Sequence, residues 1–133
     1  MLIFNKKNFK LKIPRNRTLI MGILNTTPDS FSDGGKYTDI QNSLSRAIEM
    51  IDEGADIIDI GGESSRPGAK QVDSKKEIKR TKPIIQKIKQ RTQIPISIDT
   101  YKPEVAETCL QAGAHIINDI TGFRNPEMLN IAK

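Results

Sequence analysis

The sequence predicts an α/β fold of the (β/α)8-barrel type, present as an N-terminal hairpin followed by about the first four βα units. Three observations predict it. Apolar runs of strand length alternate with amphipathic stretches of helix length, the pattern of βαβ units around a parallel sheet. The stretches "EGADIIDIGG" and "AGAHIINDITG" both read Gly-Ala-x-Ile-Ile with acids or amides around it, and Gly54 and Gly113 lie 59 residues, or two such units, apart. Units that restart alike suit a barrel better than a doubly wound sheet, and neither stretch has the glycine spacing of a dinucleotide fingerprint. Finally, every parallel strand ends on a polar residue, at the rim where barrels collect their chemistry.

The elements follow in order. "NFKLKI" alternates Phe9, Leu11 and Ile13 with Lys10 and Lys12, a half-buried strand. With "LIF" before it, it forms a hairpin over residues 1–17, which Pro14 closes. "TLIMGIL" is a continuous apolar run, expected to be a strand buried on both faces. In "YTDIQNSLSRAIEMIDEGA", Thr38 and Gln41 have capping-box form. Ile40, Leu44, Ala47, Ile48 and Ile51 then make an apolar stripe, and Gly54 sits at the C-cap. "DIIDIGG" is a buried strand. A helix over about 74–91 turns Ile78, Ile85 and Ile88 inward, with Pro83 expected to kink or split it. "IPISID" is the next strand, and "KPEVAETCLQAGA" a helix opened by Pro103 and closed by Gly113. "HIIND" is a further strand, and "NPEMLNIAK" begins another helix.

Composition narrows the function classes. A hydrophobic content of 36% and a charged content of 28% suit a globular chain, and no apolar run approaches the roughly 18 residues of a membrane span. No membrane partner is expected. The N-terminus lacks the pattern of a secretory signal, and the single Cys109 cannot form an internal disulfide, so a cytoplasmic location is expected. The net charge is +5, with nine Lys/Arg against Asp73 and Glu77 over residues 70–91. Such a run suits either a nucleic-acid footprint or a solvated helix face. No stacking aromatics accompany it, so no nucleic-acid partner is expected.

The strand ends carry the candidate chemistry: Asn25, then Asp59 to Glu63, then Asp99, then Asn118 with Asp119. Singly, each is also an ordinary turn former; together they outline one polar rim. Asp99 and Asn118 can read the donor and acceptor edge of a flat heterocycle. Asn25 offers a neutral oxygen suited to Mg2+, which keeps most of its waters. "SSRPGA" sets two hydroxyls and Arg66 on a loop stiffened by Pro67, able to hold an anion. There is no Cys/His metal cluster, Ser–His–Asp set or Walker lysine. His115, the only histidine, precedes a strand at the stabilising end of a barrel, and Cys109 lies mid-helix.

The motifs "MGILNTTPDSFSDGG", "DIIDIGGESSRPGA" and "PISIDTYKPEVAETCLQAGAHIINDITG", with their spacing, resemble dihydropteroate synthase from about Thr18 to the last residue. The resemblance implies a (β/α)8 barrel, of which residues 18–133 would be the N-terminal half of a pterin-binding domain. It implies condensation of 6-hydroxymethyl-7,8-dihydropterin diphosphate with 4-aminobenzoate to 7,8-dihydropteroate and diphosphate, in folate biosynthesis. By resemblance Asn25 belongs to a Mg2+–diphosphate site, and Asp99 and Asn118 hold the pterin. The 21–35 loop, with Thr27, Asp29, Phe31 and Asp33, closes with Ser65, Arg66 and Pro67 around the aminobenzoate pocket, which sulfonamides also occupy. Asn25, Asp33, Ser65 and Arg66 are the implied catalytic set, and the complete enzyme is expected to be a homodimer.

Two residues depart from the pattern: Thr26 stands where an aliphatic is common, and Ser65 where Thr is commoner. The Asp of a later strand, a Ser-Arg-Lys motif and an Arg-x-His motif are not in this sequence. A truncated, non-catalytic form of the enzyme therefore stays open beside the active one. A related methyl-transferring pterin domain is disfavoured by the TPDSFSDGG loop, since methyl transfer has no leaving diphosphate to enclose.

Overall fold

A computed structural model describes residues 2–6, 9–27 and 36–133. The N-terminal hairpin forms as expected: β1 (Leu2–Lys6) pairs antiparallel with β2 (Phe9–Ile13) as a separate two-stranded sheet. The main sheet is built from β3 (Met21–Asn25), β4 (Ile57–Gly61), β5 (Ile96–Asp99) and β6 (Ile116–Asn118). Its spatial order is β3-β4-β5-β6 with every pair parallel. Sequential order without a reversal is the arc of a barrel, where a doubly wound sheet would switch direction.

Helices α1 (Lys36–Asp52), α2 (Ser74–Arg91), α3 (Pro103–Ala112) and α4 (Pro126–Ala132) form one layer, each packed on its neighbour in the chain. Between sheet and helices lies an aliphatic core that includes Leu24, Ile58, Ile60, Ile84, Ile85, Ile88, Ile96, Ile98 and Val105. Side chains alternate across a strand, so the register puts Leu24, Ile60, Ile98 and Ile117 towards the helices. Two rows then face the other way: Ile23–Asp59–Ser97–Ile116, and at the rim Asn25–Gly61–Asp99–Asn118.

Three expectations are corrected. α1 starts at Lys36, so Thr38 lies inside the first turn instead of capping it. β3 is not buried on both faces: Leu24, turned to the helices, is buried, while Ile23, on the opposite face, is 67% exposed. Of the kink or split expected at Pro83, the split does not occur, since α2 runs unbroken from Ser74 to Arg91. A proline removes one backbone donor, but buried Thr81, Ile84, Ile85 and Ile88 anchor the helix on both sides of it. Cys109 is fully buried beside the Thr81 hydroxyl at 3.3 Å, and burial raises its thiol pKa, which fits an inert packing role.

The opposite end of the sheet is held by different contacts. Arg17 grips Asp56 with two bonds of 2.7 and 2.6 Å, drawing its carboxyl down to about 2 and fixing the chain entering β3 beside β4. His115 Nδ1 accepts the Ile96 N–H at 3.1 Å, and the Phe9 ring stacks on the imidazole at 4.5 Å. Burial, and secondarily the charge of Lys89, lowers the His115 pKa. The neutral ring is thus the folded form. Its stabilisation is complete above the unfolded value near 6.5 and is lost as pH falls through the lower folded value. On acidification below pH 6.5 the melting midpoint of the parent is expected to fall relative to that of His115→Asn, which keeps an acceptor and cannot titrate. An identical fall in both proteins would contradict this role.

Candidate functional site

The rim row brings three of the expected residues to one face of the sheet. Asn25, Asp99 and Asn118 are the last residues of β3, β5 and β6, and Gly61 occupies the place between Asn25 and Asp99. A methyl group at Gly61 would stand 3.5 Å from Asp99 Oδ2 and 3.8 Å from Asn25 Oδ1. The missing side chain therefore leaves a gap flanked by a carboxylate and an amide oxygen.

Asp59 joins the site from one row deeper. It is 3% exposed, and its Oδ2 accepts a hydrogen bond of 3.1 Å from Asn118 Nδ2. Its Oδ1 and the neighbouring Ser97 Oγ are buried without a partner among the described residues. A buried unmet acceptor costs folding free energy, so these atoms mark a polar patch with hydrogen-bonding capacity to spare. Sequence reasoning places Asp59 only within a strand end. Period-2 alternation is the available signal, because it puts Asp59 on the same face as Gly61.

Asp99 carries the strongest electrostatic signature. Burial comes first, then the charges of Asp59, Glu77 and Asp119, and together they push its carboxyl up to about 6. The adjacent Asp119 is occupied with its own loop: Oδ1 accepts from the Thr121 N–H and hydroxyl at 2.8 Å, and Oδ2 from the Phe123 N–H at 3.2 Å. These bonds hold Phe123 at φ 61, a conformation costly for a bulky residue.

Beside the rim row lies an open cleft of about 890 Å³, a size common for small-molecule sites. Asn25 and Thr27 line one side. Ser64, Arg66, Pro67 and the chain up to Asp73 line another, and Lys76 and Arg80 of α2 complete it. Asn25 thus belongs to both the rim row and the cleft. Arg66 is exposed on the loop, and its N–H donates to Ser64 Oγ at 3.3 Å. Ser65 is exposed but does not line the cleft; Ser64 does. Thr26 has a structural task, since its N–H and hydroxyl both donate to the Gly61 carbonyl, at 2.8 and 3.1 Å. Asp29, Phe31 and Asp33 lie outside the described residues.

Among the described residues no group of three or more His, Cys, Asp or Glu side chains could hold a metal. None of their helices is long and apolar enough to cross a membrane. Asn25 fits the modest demand of Mg2+ for one or two protein oxygens, being exposed beside a residue with no side chain.

Known proteins resemble this chain in both sequence and fold. The model of the pterin binding enzyme family matches residues 21–133. A dihydropteroate synthase of Clostridium beijerinckii is 58% identical over 117 residues, covering 87% of this chain and 44% of that relative. In solved structures, a Clostridium difficile dihydropteroate synthase crystallised in the presence of pteroic acid is 53% identical with a TM-score of 0.84, covering 87% of this chain and 44% of that one. A Xanthomonas albilineans dihydropteroate synthase with 4-aminobenzoic acid is 43% identical with a TM-score of 0.84, covering 90% and 45%. The chain therefore spans less than half the length of the relatives it matches.

Proposed function

We propose a function from one premise: the chain belongs to the pterin-binding enzyme family. It forms the pterin-ring wall and part of the aminobenzoate wall of a dihydropteroate synthase site. The observation that carries this reading is the rim row itself. Asp99 and Asn118 stand side by side at adjacent strand ends, with buried Asp59 bonded to Asn118 behind them. A carboxylate can accept a pair of ring N–H bonds, and an amide can both donate and accept. One Asn118 N–H is spent on Asp59, which fixes the amide and leaves its oxygen and second N–H for the ligand.

The reaction in this reading is displacement of diphosphate. The bond from the pterin's exocyclic carbon to the diphosphate oxygen breaks, and its electron pair leaves with diphosphate. The pterin delocalises the resulting positive charge, and the carboxylates of Asp59 and Asp99 around the ring favour it. The nitrogen of 4-aminobenzoate then bonds to that carbon and gives up a proton, which the released diphosphate, a base set free by the step itself, can take. This neutral nitrogen needs positioning more than activation. Thr27, Arg66 and Pro67 supply that from the cleft, with Ser65 next to Arg66 in the chain and with Phe31 and Asp33 of the TPDSFSDGG stretch. Asn25 would hold Mg2+, which supplies positive charge to the leaving diphosphate. Arg66 adds its own charge at the cleft. A homodimer working in the cytoplasm belongs to the same reading.

Only the ionised Asp99 accepts two N–H bonds, and its pKa of about 6 sets the pH window. Fluorescence titration with a dihydropterin is expected to give about tenfold weaker binding at about pH 5 than at about pH 8. Equal affinity at both values, or no binding at either, would contradict the reading.

A further inference from the structure

We infer that Glu63 is a positioning residue: its one carboxylate sets the Ser64–Gln71 loop against the Asp99 strand end and so governs the aminobenzoate side of the site. The inference rests on the function proposed above and adds a residue to it.

Three chain segments meet at Glu63. Oε2 accepts the Val72 N–H at 2.9 Å and lies 2.5 Å from Lys102 Nζ, while Oε1 accepts the Tyr101 hydroxyl at 2.8 Å. The bond to Val72 joins the two ends of the loop formed by residues 64–71, so the loop is closed by the residue that begins it. Ser65, Arg66 and Pro67 sit within that closed segment. They are exposed, and apart from the bonds Arg66 N–H to Ser64 Oγ and Ala69 N–H to Arg66 O the segment has few internal ties. The bonds from Tyr101 and Lys102 fasten the same carboxylate to the chain two and three residues after Asp99.

The anchor beneath it is rigid. Lys102 Nζ also reaches Glu77 Oε2 at 2.6 Å, and Glu77 is 1% exposed. Burial opposes ionisation of Glu63, but the bonds from Lys102, Val72 and Tyr101 outweigh it and hold the carboxyl below its usual range. Immediately before it, Gly62 passes so close to α2 that a Cβ would stand 2.9 Å from Thr81 Cγ2 and 3.1 Å from the Glu77 carbonyl oxygen. Arg80 donates to the Gly62 carbonyl at 2.9 Å. Glu63 therefore projects from a fixed point on the helix layer, while Asp99 and Asn118 are held by the sheet. Loss of the Glu63 bonds would therefore free the loop while the sheet pairing keeps the rim row in place.

Glu63→Ala separates these roles, because Lys102 keeps its pairing with Glu77 and the buried cation stays compensated. Tyr101→Phe removes one bond of the set and no charge. In Glu63→Ala, affinity for 4-aminobenzoate, measured by calorimetry with the pterin and diphosphate present, is expected to fall about tenfold or more. Affinity for the pterin is expected to stay within about twofold of the unaltered chain. Tyr101→Phe should shift aminobenzoate affinity in the same direction by a smaller factor.

A ligand-free measurement accompanies these titrations. Trypsin cleavage after Lys70 in the loop is expected to accelerate about tenfold in Glu63→Ala under conditions where the sheet amides keep their hydrogen-exchange protection. An equal loss of both affinities, unchanged aminobenzoate affinity, or an unchanged Lys70 cleavage rate would overturn the inference. Should the unaltered chain bind neither ligand, the functional reading fails, while accelerated cleavage would still assign Glu63 the loop.

Discussion

Lys102→Met is expected to destabilise the chain by about 3 kcal/mol or more, the largest stability effect of any single exchange considered. Lys102 sits between Glu63 and Glu77 with its side chain 15% exposed. Burial opposes its charge, yet the bonds to both carboxylates prevail and raise its pKa. Removing it leaves two carboxylates facing one another, one of them at 1% exposure on the inner side of α2. A lone buried charge is more costly than no charge at all, so part of the loss should return in the double variant Lys102→Met/Glu77→Met. Urea unfolding of the single and double variants checks this. A double variant less stable than Lys102→Met would show that Glu77 stabilises the fold by itself and that the lysine does not compensate it.

Asp99→Asn is expected to act in opposite directions on binding and on folding. It converts an acceptor pair into an amide that donates towards a ring edge already presenting donors, so pterin affinity should fall about 100-fold, or roughly 3 kcal/mol. Stability should rise. The folded carboxyl is raised to about 6, above its unfolded value of 3.8. Ionising it therefore penalises the native state as pH climbs through that window, and the penalty is complete above about pH 6. Solvent reaching this half-buried group reduces the effect, and we expect about 1 kcal/mol at about pH 8, a few degrees in melting temperature. Below about pH 4 the variant and the parent should melt alike. A lower melting temperature for Asp99→Asn at alkaline pH would show that the charge supports the fold and is not kept there at its cost.

Much of this arrangement can be read from the residues. Four strands in sequential parallel order must place their C-terminal residues along one rim, so the polar residues closing each apolar run are neighbours by topology alone. Asn25, Asp99 and Asn118 are legible on that ground alone. Asp59 is harder to see because it interrupts an apolar run two residues before the strand ends, where a carboxylate looks like a turn former arriving early. Glu77 is hidden differently. Counted with the lysines of α2 it belongs to a solvated face, although with Thr81, Ile84 and Ile88 it continues the buried helical stripe. Its partner Lys102 is 25 residues away, and Glu63 is 39 residues from Lys102. No local pattern joins such groups; only the packing of β4, α2 and the β5–α3 turn does. The exposure of Ile23 is not legible because an apolar run states what a strand can bury and not whether its partner surface is present. The family resemblance supplies the roles of the loops, and Asp29, Phe31 and Asp33 keep theirs as expectations.

If the Asn25–Gly61–Asp99–Asn118 row, backed by Asp59, is a pterin-binding wall, a dihydropterin must perturb it before anything else in the molecule. Amide chemical-shift mapping of the 15N-labelled chain during titration with a dihydropterin reads this residue by residue. The largest shifts are expected on Asp59, Gly61, Asp99 and Asn118, with the hairpin and the outer faces of α1 to α4 unmoved. Saturable binding that shifts residues of the helix layer or the hairpin, and leaves this row unchanged, would place the pterin elsewhere and refute the assignment of the wall.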